Sequence, residues 1–242
     1  MQQQLVSVSS KRRLAQSSSS TNFTVKLPHA VTDVKKVMLR EVLMPNTLYN
    51  IRSGVNAKID FNDGVNKTAT LTPGNYSMSA LMSHVLTQLN AVSSGFTAVT
   101  YSSTSLKVTI ARSSIFNLLW ASGANTAQST AEILGFSATD LSAASTYTGD
   151  KAAGFFQPLS LFLAVDELGS PLTNTYGLLS TFKIPVTVGA EGLQVMADSQ
   201  WYPQVVAALG KNIAQLTCRV FFENGEVVSL NGADWEMLLE VE

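Results

Sequence analysis

Few residues in this chain could carry covalent or acid–base chemistry. It has two histidines, His29 and His84, and one cysteine, Cys218. Nucleophilic hydrolysis needs a base beside its nucleophile, most often an imidazole. A catalytic metal site gathers several imidazoles, commonly with a carboxylate. Two histidines far apart in sequence supply neither. His84 falls on the polar side of a segment with an apolar stripe and reads as a solvated side chain, and His29 follows Pro28 and reads as a loop residue. Cys218 sits inside an apolar strand pattern, where a thiol is buried and inert. A single cysteine also excludes an intrachain disulfide framework and a multi-cysteine zinc site, and it fits a reducing compartment. GxSxG, HExxH, Walker A and GxGxxG patterns are all missing. The expectation is a chain with no catalytic, cofactor-binding or metal-ligating residue and no cofactor.

Carboxylates are the harder group to dismiss, because acids from distant parts of a chain can converge. Asp60, Asp63, Asp166, Glu167, Glu223 and Glu226 all lie beside turn signals, where solvated acids are ordinary. A paired-carboxylate hydrolase would need two of them in one cleft, one with a raised pKa. Trp120, Trp201 and Trp235 could form a sugar-stacking platform, although Trp235 opens a strand pattern and reads as core. In "QWYPQVV", Trp201 and Tyr202 precede a proline in an apparent loop and could form an exposed contact surface.

The elements that must position these residues are mostly strands. With 242 residues, the chain is long enough for a large core as one or two domains. Charged residues make up 14%, against roughly 25% in an average globular chain. Ser, Thr and Asn take their place, which suits short strands and turns. The net charge of −1 argues against coating nucleic acid with the whole surface. Basic charge is concentrated at the start, with Lys11, Arg12, Arg13 and Lys26 preceding the first acid, Asp33. Residues 1–21 are rich in Gln and Ser and read as a flexible arm. Within it, Lys11, Arg12 and Arg13 are candidate contacts to nucleic acid, an inner membrane or an acidic partner. The opening "MQQQLVSVSSKRR" has no apolar signal-peptide region, so secretion by that route is not expected. Sequons at Asn22, Asn66 and Asn75 then carry no weight.

From Asn22 onward a period of two predominates. "FTVKL", "VNAKIDF" closed by Asn62-Asp63-Gly64, "FTAVTY" with "LKVTI", "LFLAV", "FKIPVTV", "IAQLTCRVFF" with "ENGEVVSL", and "WEMLLEV" all read as strands. Pro185 within "FKIPVTV" predicts an edge or a bulge. Two helices interrupt. Ser77 caps a helix at about 77–90, whose Met78, Leu81, Met82, Val85, Leu86 and Leu89 form one stripe. A shorter helix is expected at about 127–134, stopped by Gly135. This pattern predicts an all-β, antiparallel β-sandwich with one domain over 22–242.

One stretch fits that pattern poorly. "VKKVMLREVLMPNTLYNI", residues 34–51, is apolar on both faces yet carries Lys35, Lys36, Arg40 and Glu41, and then breaks at Pro45. Strict alternation puts Val37, Leu39 and Leu43 on one face and Met38, Val42 and Met44 on the other. Arg40 and Glu41 then fall on opposite faces near a rim.

The order of elements resembles the single jelly-roll capsid proteins, the penton or vertex proteins of virophages, Polinton-like elements and related double-stranded DNA viruses. The residues that carry the resemblance are Pro45, Asn46, Tyr49 and Asn50, then Gly74 and Tyr76 leading into the amphipathic helix. A hairpin follows, then Leu134, Gly135 and Phe136, and finally the closing "VVSLNGADWEMLLEVE". Residues 137–158 match nothing in that pattern. The resemblance implies a single jelly roll and a capsid role in the virion, most simply as a homopentamer at five-fold vertices beside a major capsid protein. It makes Arg40, Glu41, Trp201 and Tyr202 candidate interface residues between subunits. A single jelly-roll major shell protein of a tailless virus is the nearest alternative. A carbohydrate- or receptor-binding jelly roll is another, since fold does not fix function.

Overall fold

The computed structural model describes residues 3–45, 47–154, 160–186, 193–196 and 204–242, with only the backbone described at 193–196 and 209. In chain order the first strands are β1 (Gln4–Ser9), β2 (Asn22–Pro45), β3 (Lys58–Asn62) and β4 (Asn66–Thr70). Helix α1 (Met78–Val92) precedes β5 (Phe96–Ser102), β6 (Lys107–Leu118) and β7 (Leu141–Thr148). Then come β8 (Ser160–Val165), β9 (Leu172–Thr173), β10 (Leu179–Ser180), β11 (Phe182–Pro185), β12 (Leu193–Met196), β13 (Gln204–Phe221) and β14 (Glu236–Val241). All pairings between these strands are antiparallel. The all-β class expected from the sequence is the class observed. Contacts gather the chain into two compact units, Met1–Leu48 with Gln157–Glu242, and Tyr49–Phe156, where the sequence suggests one domain.

In the first unit the sheet order is β1-β14-β2-β13-β8-β11, with β12 also paired to β2. Alternation sets its buried face: Met237, Leu239 and Val241 of β14 are buried between Glu236, Leu238 and Glu240. Val8, Val37, Leu163, Phe182 and Val220, from five strands of this one sheet, share a single core cluster. One face of one sheet can enclose its own core only by curling, which strand twist permits. Strand β2 runs unbroken through Pro28 and His29 instead of ending there. Its pairing with β13 slips three times between Ala207 and Gln215, and Pro28 falls in the gap, where no ladder N–H is required. Asp33 and Gly210 adopt positive φ in the same stretch. At the far edge β11 carries Pro185, as expected. There the Gln204 amide accepts from Lys183 N–H and donates to Lys183 C=O, both at 2.5 Å.

The flexible arm is not what the structure shows. Residues 4–9 form β1, paired residue for residue along β14, and Val8 is buried in the core. Composition misleads here because the serines act as hydrogen-bonding groups and not as solvated spacers. Ser10 Oγ donates to Asp234 and accepts from Trp235 N–H, both at 2.9 Å. Ser17 Oγ accepts from Thr24 N–H, and Trp235 Nε1 donates to Ser20 C=O at 2.6 Å.

In the second unit the sheet order is β4-β3-β6-β5, with β7 also on β6. Helix α1 begins at the expected cap, with Ser77 Oγ accepting from Ala80 N–H. Leu81, Met82, Val85 and Leu89 are buried in the second core, and Met78 and Leu86 pack on it. The shorter predicted helix, 127–134, is only a 3₁₀ turn at Thr126–Gln128. Ser129 forms an isolated bridge with Lys58 and Thr130 N–H donates to Lys58 C=O, so extended backbone cuts the helix short. Gly135 is nevertheless the stop the sequence suggests. Its φ is +77°, and the bonds Phe136 N–H to Ala131 C=O and Gly135 N–H to Glu132 C=O complete a Schellman closure. The unmatched stretch 137–158 holds β7. Gly149 there lies so close to Gly135 that a Cβ on it would sit 2.6 Å from the Gly135 carbonyl oxygen.

Candidate functional site

The basic cluster is only partly available to a partner. Ser10–Arg12 is a 3₁₀ turn capped by Ser9. Lys11 and Arg12 are exposed. Arg13 Nη1 lies 2.5 Å from Asp234 Oδ1 and also donates to Ser10 C=O at 2.8 Å, so its charge is already matched.

Arg40 and Glu41 lie at a β-bulge. Leu239 pairs with Leu39 and Leu238 with Glu41, which leaves Arg40 as the extra residue on β2. That insertion corrects the faces predicted by strict alternation: Val37, Leu39, Val42 and Met44 all enter one core, and Leu43 does not. Arg40 Nε donates to Glu240 Oε2 at 2.5 Å, an ion pair made within the chain. The Glu240 side chain is 8% exposed, and its Oε1 is buried without a hydrogen-bond partner among the described residues. Glu41 is half-buried and borders a notch of about 100 Å³ with Ser7, Leu43 and Glu236. Across the outer face, Leu5 is in register with Glu240, Glu240 with Met38, and Met38 with Val205. Leu5 is 61% exposed and Val205 43%, while Glu240 and Met38 between them are buried. Trp201 and Tyr202 lie outside the described residues.

The suspected chemistry resolves into structural roles. Cys218 is fully buried, and burial pushes its thiol far above the ordinary range. His29 is exposed, within β2 and not in a loop. His84 differs from expectation: it is half-buried, stacks on Tyr76 with ring centroids 4.9 Å apart, and accepts from Thr72 N–H at 3.0 Å. Asp60 is buried, not solvated, and accepts from Asn125 N–H at 2.6 Å and from Thr68 Oγ1 at 2.6 Å. The Asp63 side chain is 3% exposed and binds both Lys67 and Arg112 at 3.0 Å. Burial opposes its ionisation, but the bonds from Ser93 and Lys67 and the two cations hold its carboxyl below the usual range. Glu167 is engaged by Thr217 N–H at 2.7 Å. Asp166 faces Arg219 at 3.6 Å, and Glu223 accepts from Thr175. Among the described residues no group of three or more His, Cys, Asp and Glu could hold a metal ion. Trp120 and Trp235 are 2% and 3% exposed, so neither offers a ring face for stacking a sugar. A cleft of about 370 Å³ in the second unit is bordered by Trp120, Phe136, Ile133, Glu132 and Lys151.

Three of the residues behind the sequence resemblance, Asn50, Gly74 and Tyr76, form a backbone clamp, and Asn46 lies outside the described residues. Asn50 is 1% exposed; its Nδ2 donates to Tyr76 C=O at 2.7 Å and its Oδ1 accepts from Tyr76 N–H at 3.0 Å. Ile51 and Gly74 exchange two bonds of 3.0 Å beside it. A Cβ on Gly74 would meet the Tyr76 ring at 2.9 Å, so glycine lets that ring lie flat over the loop.

No helix among the described residues is long and apolar enough to cross a membrane. No protein-family model matches the sequence, and no curated protein matches it. Among solved structures, the mavirus penton protein is similar to it, with a TM-score of 0.54 and 9% sequence identity. That match covers 100% of this chain and 99% of the penton chain. End to end, therefore, this chain has the jelly-roll fold of the mavirus penton protein.

Proposed function

We propose that this chain is a structural capsid protein of a double-stranded DNA virus, that it acts as the penton at five-fold vertices, and that it is not an enzyme. The observation that carries the reading is the end-to-end likeness to a penton protein, with almost no chain left over on either side. A composition of 45% hydrophobic and 14% charged residues agrees with it, because it leaves little charge to solvate a monomer's flanks. The outer face of β1, β14, β2 and β13 is our candidate contact with a second copy. It carries Leu5 and Val205 exposed on either side of the buried Met38 and Glu240. Contacts between unlike flanks are heterologous and close into a ring only at a fixed rotation.

Native mass spectrometry with negative-stain microscopy tests the proposal. A particle five times the chain mass of 25.9 kDa, seen as a closed ring, is the expected result. Leu5→Glu with Val205→Glu should then weaken the ring and leave each subunit folded. A trimer or hexamer would keep the shell role and discard the vertex. A monomer across micromolar concentrations would overturn assembly altogether.

A further inference from the structure

From Thr68 to Leu106 the sequence contains no Asp, Glu, Lys or Arg. His84 is the one side chain in that span that changes charge near neutral pH. It lies on α1, with its ring packed against the loop that leads from β4 into that helix. Its Nε2 accepts from Thr72 N–H at 3.0 Å, and its ring lies on Tyr76, tilted by 19°. Tyr76 in turn donates its hydroxyl to Thr72 C=O at 2.9 Å. Both polar groups of the Thr72 backbone are thus held by these two stacked rings.

We propose that His84 is a pH-sensitive latch, in which the neutral imidazole holds the loop Thr72–Tyr76 and its protonation releases it. An imidazolium carries a proton on both nitrogens and has no acceptor left. Protonated Nε2 would face the Thr72 N–H donor-to-donor at hydrogen-bonding distance, so loop or ring must move. Stacking on Tyr76 favours the charged ring, but it does not replace the lost acceptor. Among the described residues, the elements packed against α1 offer the imidazolium no counter-charge. Helix α1 carries no other titratable residue, and the loop brings only Tyr76, with Tyr49 beside it. Of the strands touching α1, β4 brings Lys67, which is engaged by Asp63 and Ser93, and β5 brings Tyr101. Desolvation accordingly holds the His84 pKa below its ordinary 6.5. The sign follows. A depressed folded pKa means the unfolded chain binds the proton first, so the latch is fully made above pH 6.5 and is lost as pH falls through the folded value.

This inference does not depend on the capsid reading. It is tested on the full chain by hydrogen exchange of the segment 71–77 from pH 7.5 to 5.0, corrected for intrinsic exchange rates. Protection should fall by up to tenfold per pH unit below the His84 titration, while a reference segment in β6 stays constant. His84→Gln offers a permanently neutral acceptor and should flatten the response. Unchanged protection in the wild-type chain, or an equal loss in His84→Gln, would overturn the latch. If that variant does not fold, the wild-type chain still decides. The imidazole midpoint, followed by NMR, must coincide with the loss of protection, and separate midpoints would refute it.

Discussion

Replacing Asn50 by Ala removes both arms of the clamp on Tyr76. The Asn50 amide is buried, and its two bonds, at 2.7 and 3.0 Å, satisfy the Tyr76 carbonyl and N–H together. Each lost bond forfeits about 1 kcal/mol net, and each stranded backbone group adds a desolvation penalty where water cannot reach it. We therefore expect Asn50→Ala to cost about 3 kcal/mol, read as a lower urea midpoint at unchanged slope. Asn50→Asp is a sharper probe, because it keeps the acceptor for Tyr76 N–H and turns the donor into a second acceptor. Ionised, that oxygen repels the Tyr76 carbonyl; protonated, it can donate to it. The folded pKa of the new carboxyl is thus raised above its unfolded value of about 3.9. Asn50→Asp should be most stable near pH 4 and lose stability toward pH 7, opposite in sign to the His84 latch. An Asn50→Ala penalty below about 0.5 kcal/mol would show that water or loop movement replaces the clamp, and would refute the argument.

Asp63→Asn leaves Lys67 and Arg112 without their shared carboxylate and should cost about 2 kcal/mol at pH 7 by urea unfolding. Because the Asp63 pKa is lowered in the fold, the wild-type advantage should persist above the usual carboxylate range and vanish as pH falls through the folded value. Gly149→Ala drives a methyl against the Gly135 carbonyl oxygen and should lower stability by about 1–3 kcal/mol in thermal or urea melts. If DNA is the partner of the N-terminal turn, Lys11→Ala with Arg12→Ala should reduce the salt slope of binding by about 1.8, from roughly 0.9 per phosphate contact. Arg13→Ala should leave that slope unchanged, since Arg13 already faces Asp234.

The sequence reading succeeds where one physical signal dominates a segment and fails where two compete. The stripe on α1 and the cap at Ser77 are local, and both were legible. The hairpin of β5 and β6 and the glycine stop at Gly135 were legible for the same reason. The order of residues 4–21 is not legible, because it comes from partners more than two hundred residues away, such as Asp234 and Trp235. Strict alternation gives the wrong faces along β2 beyond Leu39 because a bulge has no composition of its own; one inserted residue reverses every later side chain. Asp63 looks like a solvated turn acid in the sequence, since its cation Arg112 is distant and only the pairing of strands brings them together. Asn50 and Tyr76 stand out by resemblance, but the reason for their pairing, an amide matched to a peptide group, is visible only in three dimensions.

The Gln204 amide on Lys183 has a meaning for growth of the sheet. An amide side chain presents the same donor and acceptor as a peptide unit, so at that position it takes the place an incoming strand would need. At the opposite end of the same sheet, β1 pairs on one side only among the described residues. Polymerisation by strand addition requires two complementary open ends. With one end blocked, two chains could meet β1 to β1, but the product would have no free edge left to recruit a third. The Gln204 amide thus hinders strand addition at Lys183, because an incoming strand would first have to displace it.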